Sequence, residues 1–262
     1  MKIPDYSVHG DGSDTTVYLL HGAYGAKEYW RYLIEQLTLS GYRCVAWDMP
    51  GYGISQIPVH LTIGSAAEAL LSLVEHTKTK INILLGHSTG GCVAQLAYNL
   101  MPKYIDGLVL SATMHTFNHS GPEWKEYFMT TRMAPILQHG KLISEYAPDL
   151  LKAVMGPGAQ GPIVDWIVTN VKLMRNDAFK AAIYALAEYD REDILPTIKI
   201  PTLLICGEVD LTCPPVVMKA MANLIPNSHY QEMKGVGHFG WAEKPDEYYK
   251  ILLQFLNSKF RY

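Results

Sequence analysis

Apolar and polar positions along the chain alternate between two rhythms. Short apolar runs at Val17–Leu20, Arg43–Trp47, Lys80–Leu85, Ile105–Leu110, Thr202–Cys206 and, more weakly, His229–Met233 read as strands, and Lys80–Leu85 as one buried on both faces. Between them lie longer stretches with helical spacing. Trp30, Leu33, Ile34 and Leu37 predict a helix starting near Lys27 and leaving at Ser40-Gly41. Further helices are expected from about Thr62 to His76, from the Gly86–Gly91 turn to about Leu100 before Pro102, and from about Asp246 to Phe260. This alternation predicts an α/β fold, with a mostly parallel central sheet and helices on both faces.

The rhythm breaks once. From about Ala112 to Asp190 there is no clear strand, only aromatics, methionines and helix-like segments. No repeat or low-complexity linker sets this stretch apart, so it reads as an insertion over the sheet. The expected organisation is a core of residues 1–113 and 191–262 with a helical segment at 114–190. Trp124, Tyr127, Phe128, Met129 and Met133 cluster in its first half, with Trp166 and Tyr184 further on. Each alone is expected to pack onto the sheet, and together some should wall a pocket.

Composition narrows the function classes. At 262 residues, 48% hydrophobic and 18% charged, the chain has the make-up of a soluble globular protein. A formal net charge of −3 offers no basic field for a phosphate backbone, so nucleic acid is not an expected partner. No apolar run approaches the roughly 20 residues that span a bilayer. Met1-Lys2-Ile3-Pro4-Asp5 lacks the apolar segment of a secretory leader, and a cytoplasmic location is the expectation. The four cysteines include no CxxC pair. Cys44, Cys92 and Cys206 read as buried small hydrophobes, and Cys213, close to Asp210, as a neighbour of a site rather than its nucleophile.

The chemistry centres on Gly86-x-Ser88-x-Gly90 between a buried strand and a helix. A serine at such a turn has strained backbone angles, and a Cβ two residues to either side would collide with neighbouring chain. The turn lifts the hydroxyl above the sheet and aims the Thr89 N–H and the helix start at the place where an oxyanion would form. Upstream, His21-Gly22-Ala23-Tyr24-Gly25 suits the other half of an oxyanion hole, with the Ala23 N–H as second donor and His21 bracing the loop.

A serine hydroxyl needs a base, and the base an orienting carboxylate. Of the ten histidines, His238 sits in the glycine loop Gly235–Gly240 between the last strand and the last helix. His87, inside the turn, should point away from the serine hydroxyl. Asp210 follows the strand Thr202–Cys206, giving the order Ser…Asp…His, with Glu208 as a second candidate. After Ile105–Leu110 no carboxylate occurs before Glu123, which disfavours an acid there.

HGAYG, DMPGYG, GHSTGG, CGEVDLTCPP and GVGHFGWAEKPDE, in this order and at these separations, resemble the α/β-hydrolase superfamily throughout the chain. The resemblance implies the α/β-hydrolase fold with a helical cap inserted after the sixth strand. It also implies Ser88, Asp210 and His238 as nucleophile, acid and base, Ala23 and Thr89 as oxyanion donors, and a structural role for Asp48. The run IKIPTLLICGEVDLTCPP with AMANLIPNSHYQEM is similar to 3-oxoadipate enol-lactonases and small carboxylesterases. The expected activity is serine esterase or lactonase chemistry on a small to medium substrate, with no metal or cofactor. The same scaffold also serves carbon–carbon bond hydrolysis, oxygenation without cofactor, lyase chemistry and perhydrolysis, and a small-molecule receptor that retains the triad is the remaining alternative.

Overall fold

The computed structural model describes residues 3–261. Seven strands form one sheet: β1 (Tyr6–His9), β2 (Thr15–Leu20), β3 (Arg43–Trp47), β4 (Ile81–His87), β5 (Gly107–Ser111), β6 (Thr202–Gly207) and β7 (Ser228–Met233). Their order is β1-β3-β2-β4-β5-β6-β7. Only β1 runs antiparallel, against β3. The central strands β2, β5 and β6 are buried at every residue, as their unbroken apolar runs require. β1 and β7 lie at the edges and are half-buried or exposed throughout, apart from the buried Met233. For β1 this explains the missing sequence signal, because YSVH has no apolar run.

After β2 the chain moves to one side, through α1 (Arg31–Leu39) to β3. It then returns through α2 (Ile63–Thr77) to β4 on the other side. Right-handed crossovers put α1 on one face, and α2 and α3 (Thr89–Leu100) on the other. The order therefore reverses between β2 and β4, where open α/β sheets leave a crevice beyond the carboxyl ends of the strands. Leu20 pairs with Gly86, so β2 and β4 end level and their loops meet there. Ten consecutive residues of α3, Thr89–Tyr98, are buried, which leaves no room for long side chains at its start.

Between β5 and β6 lie four helices: α4 (Gly121–Leu137), α5 (Ile143–Ala153), α6 (Pro162–Asn170) and α7 (Asn176–Ala187). This insertion follows the fifth strand of the chain, not the sixth, because only one strand precedes β2 among the described residues. Its two ends run side by side, with Thr116 bridged to Asp190, Phe117 N–H donating to Tyr189 O and Arg191 N–H to His115 O. Helices α8 (Pro215–Leu224), α9 (Gly240–Glu243) and α10 (Pro245–Phe260) complete the chain. Among the described residues no helix is long and apolar enough to cross a membrane.

Candidate active site

Ser88 stands between β4 and α3 with φ +54° and ψ −122°, an arrangement that costs a side-chain-bearing residue about 1–3 kcal/mol. Several bonds hold it. Its N–H donates to Ser111 O (3.0 Å), and its carbonyl accepts from Thr113 Oγ1 (2.6 Å) and Gly91 N–H (2.9 Å). The flanking glycines are required by contact: a Cβ on Gly86 would lie 2.3 Å from Gly90 O, and one on Gly90 2.2 Å from Leu20 O. One on Gly22 would lie 2.9 Å from Ser88 Cβ, so the loop after β2 passes directly beside the serine.

Thr89 opens α3, so its N–H has no intrahelical acceptor and lies at the positive end of the helix. Ala23 belongs to the turn closed by Gly25 N–H on Gly22 O (2.9 Å). His21 fixes that turn, with Nδ1 donating to Gly22 O (2.8 Å) and Nε2 accepting from Met49 N–H (2.9 Å). Burial lowers its pKa, so it is a neutral brace.

His238 Nδ1 donates to Asp210 Oδ2 at 2.8 Å, leaving the Nε2 lone pair available. His238 and Ser88 line one narrow cleft together with Ala23 and Tyr24. The other Asp210 oxygen accepts from Thr212 N–H (2.8 Å) and Cys213 N–H (3.0 Å), so this buried carboxylate is fully engaged. Glu208 is turned elsewhere, onto Gly235 N–H (2.8 Å). Asp48 is held by Lys27, through its backbone N–H (2.9 Å) and its ammonium (2.8 Å), and shapes its own turn. Burial pushes the Cys213 thiol pKa well up, unsuited to a nucleophile. Asp210, Cys213 and His238 bring donor atoms within 4.8 Å of one another, and a metal there would have to replace the Asp210–His238 hydrogen bond.

Two supports were not legible in the sequence. His87 lines the cleft with Ser88, makes no hydrogen bond to the serine hydroxyl, and joins distant pieces: Nε2 donates to His238 O (2.8 Å), and Nδ1 accepts from Tyr29 Oη (3.2 Å). Tyr29 Oη in turn accepts from Gly22 N–H (2.9 Å). Burial holds the His87 pKa well down, which keeps this tautomer neutral. The second support is Glu243, whose carboxylate accepts from Gly237 N–H (2.9 Å), Phe239 N–H (2.9 Å) and Gly156 N–H of the insertion (2.8 Å). It therefore grips both neighbours of His238. Glu243→Ala strands these donors, and we expect a loss of about 2–4 kcal/mol in stability, read as a lower midpoint in urea unfolding.

The cleft at Ser88 is only about 10 Å³, room for roughly one water. A cavity of about 510 Å³ lies next to it, sharing Tyr24, Gly25 and Tyr29. Its walls from the insertion include Ile167, Asn170, Val171, Met174 and Arg175, and none of the aromatics singled out in the sequence. Trp124 and Phe128 pack against Phe117, while Tyr127 and Tyr184 are exposed.

Residues 17–251 match the alpha/beta hydrolase family. A proline iminopeptidase of Lactobacillus helveticus is 30% identical over 280 residues, covering 97% of this chain and 94% of that protein. Among solved structures, a thermophilic esterase from Thermogutta terrifontis is 26% identical with a TM-score of 0.82, covering 97% of this chain and 93% of its own. The enol-lactonase from Burkholderia xenovorans LB400 shares the fold at 21% identity and a TM-score of 0.82, covering 96% and 95%.

Proposed function

Because the chain belongs to the alpha/beta hydrolase family, we propose that it is a serine hydrolase cleaving a small to medium carboxylic ester or lactone through an acyl-enzyme on Ser88. The observation that carries this reading is the strained Ser88 turn sharing a cleft with a histidine that is hydrogen-bonded to a buried carboxylate. In the first step His238 Nε2 takes the hydroxyl proton as Ser88 Oγ attacks the carbonyl carbon. The Ala23 and Thr89 N–H groups hold the oxyanion, each contributing about 3 kcal/mol. The imidazolium, steadied by Asp210, then protonates the leaving alkoxide. Water repeats the sequence and releases the acid.

The helical insertion, residues 114–190, acts in this reading as a cap. Trp166 Nε1 donates to Glu28 O (3.3 Å), and Val154 O accepts from His238 N–H (2.8 Å), so the insertion touches the loop that carries the base. The adjacent 510 Å³ cavity lies within the size range of small-molecule sites and suits a substrate of modest length.

The relative named as a proline iminopeptidase favours a second reading, hydrolysis of an amide by the same residues. Turnover of p-nitrophenyl acetate, butyrate and octanoate against prolyl p-nitroanilide separates the two. Ester turnover at least tenfold above the anilide in kcat/KM is expected, together with a phosphonate adduct on the Ser88 peptide by mass spectrometry. Labelling elsewhere, or anilide turnover alone, would reject the ester reading.

A further inference from the structure

Three residues line both the narrow cleft at Ser88 and the cavity of about 510 Å³ beside it: Tyr24, Gly25 and Tyr29. The cleft has room for roughly one water, so no acyl chain enters it unless a wall yields. Gly25 has no side chain, and its N–H is held on Gly22 O (2.9 Å). Tyr29 is fully packed, its ring centre 4.5 Å from that of Trp241 and 4.6 Å from that of Trp30. Its hydroxyl accepts from Gly22 N–H (2.9 Å), so moving it would undo the turn that carries Ala23.

Tyr24 differs from both. It is half-buried, and the backbone on either side of it is pinned, by Tyr52 Oη on Ala23 O (2.8 Å) and by the Gly25 N–H. Its ring leans on Phe179 of α7, with centres 5.1 Å apart at 41°, and its hydroxyl lies beside Arg132 of α4. Both contacts come from the insertion. On its other side the cavity offers space into which the ring can turn, by rotation between side-chain wells with the backbone unmoved. That cavity presents Ile54, Ile167, Val171 and Met174 as apolar wall. Its ionic groups are already engaged, with Asp5, Glu28 and Asp48 on Lys27, and Arg175 on Asp177. What remains for a ligand is hydrocarbon surface.

We propose that the Tyr24 ring is a movable partition between the Ser88 cleft and this cavity, and that it sets the length of the unbranched, apolar acyl chain admitted. This rests on the Ser88 reading for the bond cleaved. With the ring in place the two spaces are separate, and a chain attached at the carbonyl runs into it. With the ring turned they join, and each added methylene is buried against Ile167, Val171 and Met174. Because Phe179 and Arg132 hold the ring from the insertion, the closed arrangement is the one that the insertion favours before a chain arrives.

The test is the ratio of kcat/KM for p-nitrophenyl octanoate to that for the acetate. In Tyr24→Ala this ratio should rise about tenfold or more, through KM rather than kcat. Tyr24→Phe keeps the ring and should keep the wild-type ratio. Met174→Trp, which fills the cavity, should bring the ratio of the Tyr24→Ala protein down again by about tenfold. Loss of a merely structural contact would lower Tm and both rates together and leave the ratio where it was. A second measurement needs no turnover. In crystals of Ser88→Ala grown with octanoate, the carboxylate should lie beside His238, the chain in the cavity and the Tyr24 ring turned off Phe179. An unchanged ratio in Tyr24→Ala, an equal rise in Tyr24→Phe, no chain in the cavity, or a chain there with the ring still against Phe179 overturns the proposal. Serine-dependent turnover with an unchanged ratio would remove the partition and leave the hydrolase reading standing. A threaded chain and a turned ring with neither ester cleaved would leave the partition and remove the ester reading.

Discussion

Ser88→Ala is expected to lower kcat for ester hydrolysis by about 10⁴- to 10⁶-fold while leaving the fold intact. Ser88 Oγ makes no hydrogen bond within the chain among the described residues, and alanine meets the same positive φ, so the Tm should move by no more than a few degrees. The residual rate then measures what the two oxyanion donors and substrate positioning accomplish alone. Asp210→Asn should fall nearly as far, about 10⁴-fold. An asparagine has one oxygen for two tasks, and the Thr212 and Cys213 N–H groups compete for it with His238 Nδ1. If the oxygen stays with the loop, the amide N–H₂ faces the imidazole and selects the wrong tautomer. Equal slow rates in wild type and Ser88→Ala would remove Ser88 as nucleophile for these esters.

The largest effect on stability should come from Gly90→Ala. The added Cβ would meet Leu20 O at 2.2 Å, Leu20 C at 2.7 Å and His21 O at 2.8 Å, all backbone at the end of a central strand. None of these can swing aside as a side chain tip would. Relief requires α3 to withdraw from β2, and α3 is buried through its first ten residues. A loss of at least about 4 kcal/mol is expected, read as a fall in Tm of roughly 8–16 °C by calorimetry. Gly158→Ala is the control, because a Cβ there meets nothing within 4 Å and the residue has no positive φ. If the two variants unfold at the same temperature, the close approach of α3 to β2 is wrong.

The sequence was most informative where both faces of an element are buried. Arg43–Trp47 has the bounds expected of it and Thr202–Gly207 differs by one residue, because continuous apolar runs leave little choice of register, whereas the edge strand Ser228–Met233 gave only a weak signal. The helix expected from Lys27 begins with a 3₁₀ turn at Lys27–Trp30, where Lys27 is drawn toward Asp48. Asp210 and His238 were legible from strand ends and chain order, and their 2.8 Å contact depends on two loops meeting that no local pattern describes. Arg132 was not legible. In KEYFMTTRMAP its helix has no clear apolar stripe, and only the packing of the insertion shows that this arginine is inside. Glu243 was hidden for a related reason: its partners are backbone N–H groups, which every sequence contains.

The bond from His87 to the carbonyl of His238 spans 151 residues, and Glu243 lies beyond both. During synthesis the N-terminal half, with its serine turn, leaves the ribosome long before the imidazole that would serve it has been polymerised. Until then His87 Nε2–H has no acceptor and the serine no base. On the proposed mechanism a nascent chain is inert toward esters, and hydrolytic activity in a translation reaction would time completion of the C-terminal segment rather than folding of the strands that precede it.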